Sequence, residues 1–323
     1  MSARRAYLGL VAASLFWATA FIAGKAVLAE ITPLSAAGLR HFAAALLLLP
    51  FAWWGWRGAR LRGVWVPLAV MVLCGGVLYQ WTFMAALART SATNASLLVA
   101  LNPALTVLFA PLVGEALTRR ALGGVLLALA GAAVVITRGD AVVLASLLEA
   151  RAGDVLAVTA AALWAGFNLA SRRVVAQVPH ALTNTLCCGL GSLVTLTLAL
   201  PEAPFTQLAH ASSAALWGLV VMVVLSSVFA GQLFLRGVHT VGVGRTVVFV
   251  YLVPVLTALL AALFLGEPLL FSQVVGGALV LAGVWTTTRA RVVSADARAA
   301  RARARPRRRG GLVSRWSTGK TGA

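Results

Sequence analysis

Charge is scarce in this chain of 323 residues, and acidic charge is scarcer still: charged residues are 11% of the total, with 27 Lys and Arg against 8 Asp and Glu. A typical soluble domain carries about 25% charged residues, so a fold bathed in water is excluded. No Asp or Glu lies in the interior of a long apolar run, and the chain lacks His-Glu-x-x-His, Gly-x-Ser-x-Gly and any pair of carboxylates at helical spacing. An enzyme working inside a membrane needs one such constellation. Catalysis, a metal and a cofactor are therefore all unexpected. Cysteine is nearly absent too. Cys74, Cys187 and Cys188 sit within apolar runs, which excludes a disulfide framework and leaves packing as their role. Of the four histidines only His41 and His239 lie in or beside such runs, where packing or an interfacial position is plainer than a proton relay.

What the chain has in abundance is apolar length. Hydrophobic residues make up 61%, and mean hydropathy is +0.93. A bilayer-spanning helix needs about 20 mainly apolar residues. Ten windows qualify: 7–29, 34–54, 64–87, 91–113, 121–137, 153–175, 181–200, 212–235, 243–265 and 271–288. The first is read as a span and not as a cleaved leader, because Trp17 and its neighbours have a counterpart around Trp164.

An internal repeat organises these windows. Pro103 is followed by Gly114-Glu115, Gly124 and Gly131, as Pro254 is by Gly266-Glu267, Gly276 and Gly283. Laying 114–131 on 266–283 without a gap gives identity at 8 of 18 positions. Five windows fall in each half, and an odd number makes the second half enter the membrane from the opposite face. Basic residues agree: with the amino terminus inside, the inner segments carry 11 arginines and the outer ones 3, as the positive-inside rule demands. The expected architecture is all-α and integral to the membrane, with ten transmembrane helices in two inverted five-helix repeats and both termini cytoplasmic. Its divisions are 1–137, an outer connection at 138–152, a second repeat at 153–288, and a tail at 289–323. Inverted repeats recur in secondary transporters, whose substrates bind near mid-membrane where the halves meet.

The run Gly244 to Pro254, followed by Leu265-Gly266-Glu267 and Gly276 to Gly283, resembles the second-half signature of the EamA-type transporters of the drug/metabolite transporter superfamily. Trp17 and Trp164, each with a basic residue eight positions on (Lys25 and Arg172), are similar to the entry helices of that family's halves. The resemblance covers roughly residues 7–289. It implies a central cavity built mainly from the first, third and fourth helices of each half, with the fifth peripheral. It also implies transport of a small metabolite by alternating access, with an amino acid or analogue as substrate and export as direction. A membrane sensor or assembly scaffold is the alternative, though no connection is long enough for a soluble domain.

The candidate substrate-binding residues are Trp17, Phe21, Lys25, Tyr79, Gln80, Phe83, Asn94, Asn102, Trp164, Asn168, Gln232 and Tyr251. Each has a plainer role as well. The tryptophans can pack or anchor at an interface, and the amides can bond helix to helix. Pro103 and Pro254 are candidate helix breaks or gates, since proline removes an amide donor and frees a carbonyl one turn earlier. Lys25 and Arg40 either snorkel toward the outer surface or capture a substrate carboxylate. Glu115 and Glu267 are expected to cap the next helix or hold a tight turn. With every acid placed at a connection or in the tail, facilitated diffusion or exchange is expected rather than proton coupling. The glycines of the fifth windows form seams for close helix packing.

The tail from Arg289 carries ten Arg and Lys320 against Asp296. It lacks the aromatic interleaving of a nucleic-acid arm, so contact with anionic lipid headgroups is expected. Arginine outnumbers lysine 25 to 2, which fits a bacterial inner-membrane protein from a GC-rich genome. A monomer or weak homo-oligomer is expected.

Overall fold

The computed structural model describes residues 3–56, 62–113, 115–137, 152–175, 177–241, 249–289 and 293–294. The outer connection 138–151, the segment 242–248 and nearly all of the tail lie outside the described residues, as do the side chains of Arg172 and His239. Helices account for almost everything described. In chain order they are α1 (Ala3–Leu28), α2 (Pro33–Trp56), α3 (Trp65–Arg89), α4 (Ala92–Val99), α5 (Asn102–Leu108), α6 (Arg119–Thr137), α7 (Ala152–Val175), α8 (His180–Ala199), α9 (Pro204–His210), α10 (213–241), α11 (Leu252–Leu265) and α12 (Phe271–Arg289). One short antiparallel pairing stands outside the all-helical expectation, β1 (Glu115–Ala116) with β2 (Val293–Ser294). It brings the connection after α5 and the segment after α12 to the same end of the bundle.

Six of the described helices are long and apolar enough to cross a membrane. The fourth window is instead two helices, α4 and α5, parted at Ala100 and Leu101 just before Pro103. Its partner in the second half breaks at Tyr251, three residues before Pro254. In both places the proline sits in the first turn of the new helix, where its missing N–H costs nothing.

The halves interlock. The second helices α2 and α8 pack on each other, as do the fifth helices α6 and α12; α1 packs on α10 and α11, and α7 on α3, α4 and α5. Exchanging the halves maps α2–α8 and α6–α12 onto themselves and the α1 pairs onto the α7–α3 and α7–α5 pairs. The self-paired helices run antiparallel: a Cβ on Gly124 would lie 2.7 Å from the Gly283 carbonyl oxygen, and one on Gly131 2.6 Å from that of Gly276. A two-fold operation that exchanges these helices and reverses their direction has its axis across the helices. Those glycines let two backbones touch where any side chain would hold them apart.

Both third helices contain a π-helical stretch, Val72–Leu78 in α3 and Met222–Ala230 in α10. A π turn leaves carbonyls without their usual partners and is frequent at functional sites. Here side chains take them up. Gln80 Nε2 donates to the Gly75 carbonyl at 2.9 Å, and the Ser227 hydroxyl to that of Met222 at 3.2 Å.

Candidate substrate-binding site

A chain of aromatic rings crosses the junction of the halves. Phe21 of α1 meets Phe83 of α3 edge-on at 5.1 Å, Phe83 stacks with Tyr79 at 5.8 Å, and Tyr79 meets Trp164 of α7 at 4.6 Å. Trp164 in turn stacks on Phe167 at 4.5 Å. Helical spacing explains the set, since Tyr79 and Phe83 are i and i+4 and Trp164 and Phe167 are i and i+3. Trp17 belongs to a neighbouring group: its ring faces Phe234 of α10 at 5.2 Å, half-buried where α1 crosses that helix.

The polar side chains on this wall come from the interrupted helices. Asn102 Nδ2 donates to the Val99 carbonyl at 3.0 Å, satisfying an acceptor freed at the α4–α5 break. Thr106 Oγ1 donates to the Asn102 carbonyl at 2.7 Å, and Asn168 Nδ2 of α7 reaches Thr106 Oγ1 at 3.3 Å. In the other half the Phe249 carbonyl, just before the Tyr251 break, accepts the Ser14 hydroxyl of α1 at 2.7 Å. Tyr251 is buried in the core that joins α4, α5, α6, α7 and α12. Gln232 of α10 carries a buried Nε2 with no hydrogen-bond partner.

Arg40 of α2 is the charge at the centre. It is 5% exposed, about 10 Å into its helix at 1.5 Å per residue. Its Nη2 donates to Gln80 Oε1 and lies 3.5 Å from His41 Nε2, and its guanidinium carbon stands 5.8 Å over the Phe83 ring. Among the described residues its Nε has no partner, nor has His41 Nδ1. A cation at depth costs roughly 2.5 to 3.5 kcal/mol on insertion scales, and snorkelling does not relieve Arg40, which is buried. The sequence singles it out as a lone charge inside an apolar run, without revealing that its partner is an amide 40 residues on.

Lys25 and Asn94 belong elsewhere. Lys25 Nζ donates to the Thr90 carbonyl at 2.6 Å, Thr90 Oγ1 to Asp154 Oδ1 at 2.5 Å, and Asn94 Nδ2 lies 3.4 Å from the same oxygen. Gln273 Nε2 closes the group on Asn94 Oδ1 at 2.7 Å. Asp154 is 3% exposed in the first turn of α7, which corrects the expectation that the acids sit at exposed connections. Glu267 holds the turn after α11 through its amide, which donates to the Ala261 carbonyl at 3.2 Å, but its side chain does something the sequence did not suggest. It caps the start of α4 in the opposite half, accepting from the amides of Ala92 at 2.8 Å and Thr93 at 3.2 Å, where helix donors are unsatisfied.

Two more carboxylates tie the halves at this acidic end. Glu202 accepts the hydroxyls of Thr32 and of Ser35, the latter at 2.8 Å. Glu30 accepts the Ser212 hydroxyl and its amide, the latter at 2.6 Å. Those donors, the hydroxyl foremost, hold the Glu30 carboxyl below its usual 4.5. The side chain of Glu115 lies outside the described residues.

The EamA-like transporter family matches residues 4–137 and 151–289. A protein of Archaeoglobus fulgidus named an uncharacterized transporter is 30% identical over 286 residues, covering 88% of this chain and 97% of its own length. The transporter YyaM of Bacillus subtilis is 27% identical, covering 87% and 93%. A solved structure with 22% identity shares the fold at a TM-score of 0.58 and covers 89% of this chain and 98% of its own.

Proposed function

The chain belongs to the EamA-like transporter family and is a multi-pass membrane transporter, and we propose that it is a secondary transporter moving a small metabolite by alternating access. The observation that carries this reading is the aromatic and amide wall of Tyr79, Phe83, Trp164 and Asn168 at the junction of the halves, flanked by helices broken at Ala100 and Tyr251. Irregular backbone at membrane depth persists where it is buried in protein or lines a cavity, and discontinuous helices are where transporters hold substrate.

The finer parts of the proposal are ten crossings, termini in the cytoplasm of a bacterial inner membrane, and export of an amino acid or analogue. The arginine bias supports the orientation, and puts the acidic end outside. There the bonds of Glu30, Glu202 and Glu267 join one half to the other. Alternating access requires those bonds to break and remake in each cycle. Substrate exchange suits the site better than proton coupling, because the buried carboxylate of Asp154 stands in the first turn of α7, where Thr90 and Asn94 occupy it, and not among the residues of the wall. The arginine-rich tail rests on anionic headgroups, outside the transport unit, which acts as a monomer or weak homo-oligomer.

The test is counterflow in proteoliposomes holding the purified full chain, loaded with an amino-acid pool and assayed with labelled amino acids outside. Accumulation without any imposed ion gradient is expected. Uptake that appears only with a proton gradient would overturn the exchange part of the reading, and none across the panel would overturn amino acids as substrates.

A further inference from the structure

The strongest unexplained feature of the molecule is a cation without a counter-ion among the described residues. Arg40 is 5% exposed, and each of the acids whose side chain is described has other partners: Glu30 with Ser212, Glu202 with Thr32 and Ser35, Glu267 with Ala92 and Thr93, Asp154 with Thr90 and Asn94. The acceptor given to Arg40 is the neutral Oε1 of Gln80. An amide oxygen orients a guanidinium but leaves its charge uncompensated, whereas a carboxylate neutralises that charge and can accept two parallel N–H bonds.

Two donors in the same cluster have nothing to bond. Arg40 Nε is buried and unpartnered, and so is Nδ1 of His41, whose ring meets Arg40 Nη2 on its other nitrogen, at 3.5 Å. With Nε2 facing a donor, the neutral tautomer carries its proton on Nδ1, so both idle groups donate. Buried donors normally find acceptors. What this cluster lacks is an acceptor, and preferably a negative one.

Its surroundings say what kind of molecule brings it. Arg40 lies over the Phe83 ring, which continues through Tyr79 to Trp164. A substrate that set its anionic group on Arg40 would lay its remaining part along this wall. Gln80 is anchored at its other end by the Gly75 carbonyl of the π turn, so it fixes the guanidinium beside this wall.

We propose that Arg40, with His41 and Gln80, is the recognition point for a carboxylate on the transported molecule, and that the Phe83–Tyr79–Trp164 wall takes its apolar part. This rests on the transport reading and narrows it to carboxylate-bearing substrates, with Arg40 in place of Lys25 as the capturing cation.

The experiment pairs acids with their uncharged amides, using L-phenylalanine, L-leucine and phenylacetate against L-phenylalaninamide, L-leucinamide and phenylacetamide. Each is tested for thermal stabilisation of the purified full chain in detergent, and for competition in the counterflow assay. Carboxylates should bind about tenfold or more tightly than their amides. Arg40→Met should erase that preference, and Arg40→Lys should keep part of it.

A second variant guards against misfolding. Gln80→Glu supplies an internal counter-ion, so it should raise the thermal midpoint while abolishing carboxylate binding. Equal binding of acids and amides by the wild-type chain would overturn the proposal while leaving transport intact. Carboxylate preference that survives in a folded Arg40→Met would overturn it as well, and so would unaltered carboxylate binding by Gln80→Glu. Carboxylate binding without counterflow of any labelled compound would instead support the anion site and count against the transport reading.

Discussion

In α3 the π-helical stretch ends at Leu78 and Gln80 follows two residues later; in α10 it ends at Ala230 and Gln232 follows two residues later. Yet Gln80 is held at both ends, by Arg40 and by the Gly75 carbonyl, whereas Gln232 Nε2 has no partner. The second helices account for the difference. Arg40 and Cys187 are separated by 147 residues, as Trp17 and Trp164 are, so the sequence counterpart of the cation is a thiol, and it meets the Met71 carbonyl of α3 at 3.9 Å. Duplication kept the backbone device and let the side chains part. A symmetric frame suits a protein that must present one site to two faces, but the proposed carboxylate needs one cation and not two.

Packing separates the same two stretches, and the largest expected effect tests it. In α3 a Cβ on Gly76 would stand 2.7 Å from the Cys187 carbonyl oxygen, with Gly191 across from it, while the α10 stretch contains no glycine and Ser227 is only half-buried. Gly76→Leu should therefore cost about 1–3 kcal/mol or more through overpacking, read as a lowered thermal midpoint or loss of monodisperse protein. Ser227→Leu should cost clearly less. Equal damage would mean that the stretches are packed alike.

Next in size is the pair of amides. Gln80→Leu removes the acceptor of a buried guanidinium and should cost about 1–3 kcal/mol, because what it leaves unsatisfied is charged. Gln232→Leu deletes an amide that already lacks a partner, so stability should stay level or rise. If the two variants melt together, Gln232 has a partner in another state of the transport cycle.

How much of this could be read from the chain alone follows from where each signal lies. The repeat, the Pro103 and Pro254 breaks and the aromatic spacing of Tyr79 with Phe83 are local patterns, and the structure contains the breaks and the ring contact. The π stretches have no such marker, since Val72–Leu78 reads as any apolar helical turn. Partnerships across helices were hidden for a different reason. That Lys25 would bond a backbone carbonyl 65 residues away, or Glu267 cap a helix of the opposite half, depends on how the halves interlock. Composition placed the charges near one end without saying which were already spent.

A smaller contrast concerns the two tryptophans. Trp164 contacts two rings, Tyr79 and Phe167, while Trp17 contacts Phe234 alone. Each aromatic pair contributes about 0.5–1.5 kcal/mol beyond its buried area. Trp164→Ala should thus lower both stability and counterflow more than Trp17→Ala, by roughly one pair's worth. A larger transport loss at Trp17 would move the site toward α10.

The smallest effect lies at the starts of the third helices. Val64, before α3, offers no side-chain cap, whereas Ser212, before α10, accepts from the Ala215 amide at 3.3 Å and donates its own amide and hydroxyl to Glu30. Because the folded protein holds the Glu30 carboxyl below its usual 4.5, the group favours the tied state at every pH above that value. The contribution fades only as pH falls through the depressed value, when the carboxylate takes up a proton. Amide exchange at the first turn of α10, corrected for intrinsic rates, should therefore stay slow from neutrality down to 4.5 and quicken below it, with the first turn of α3 as reference. Glu30→Gln keeps an acceptor but loses the charge, so it should quicken exchange slightly at neutral pH and flatten the acid response. An acid response in that variant equal to the wild type would place the titrating group elsewhere.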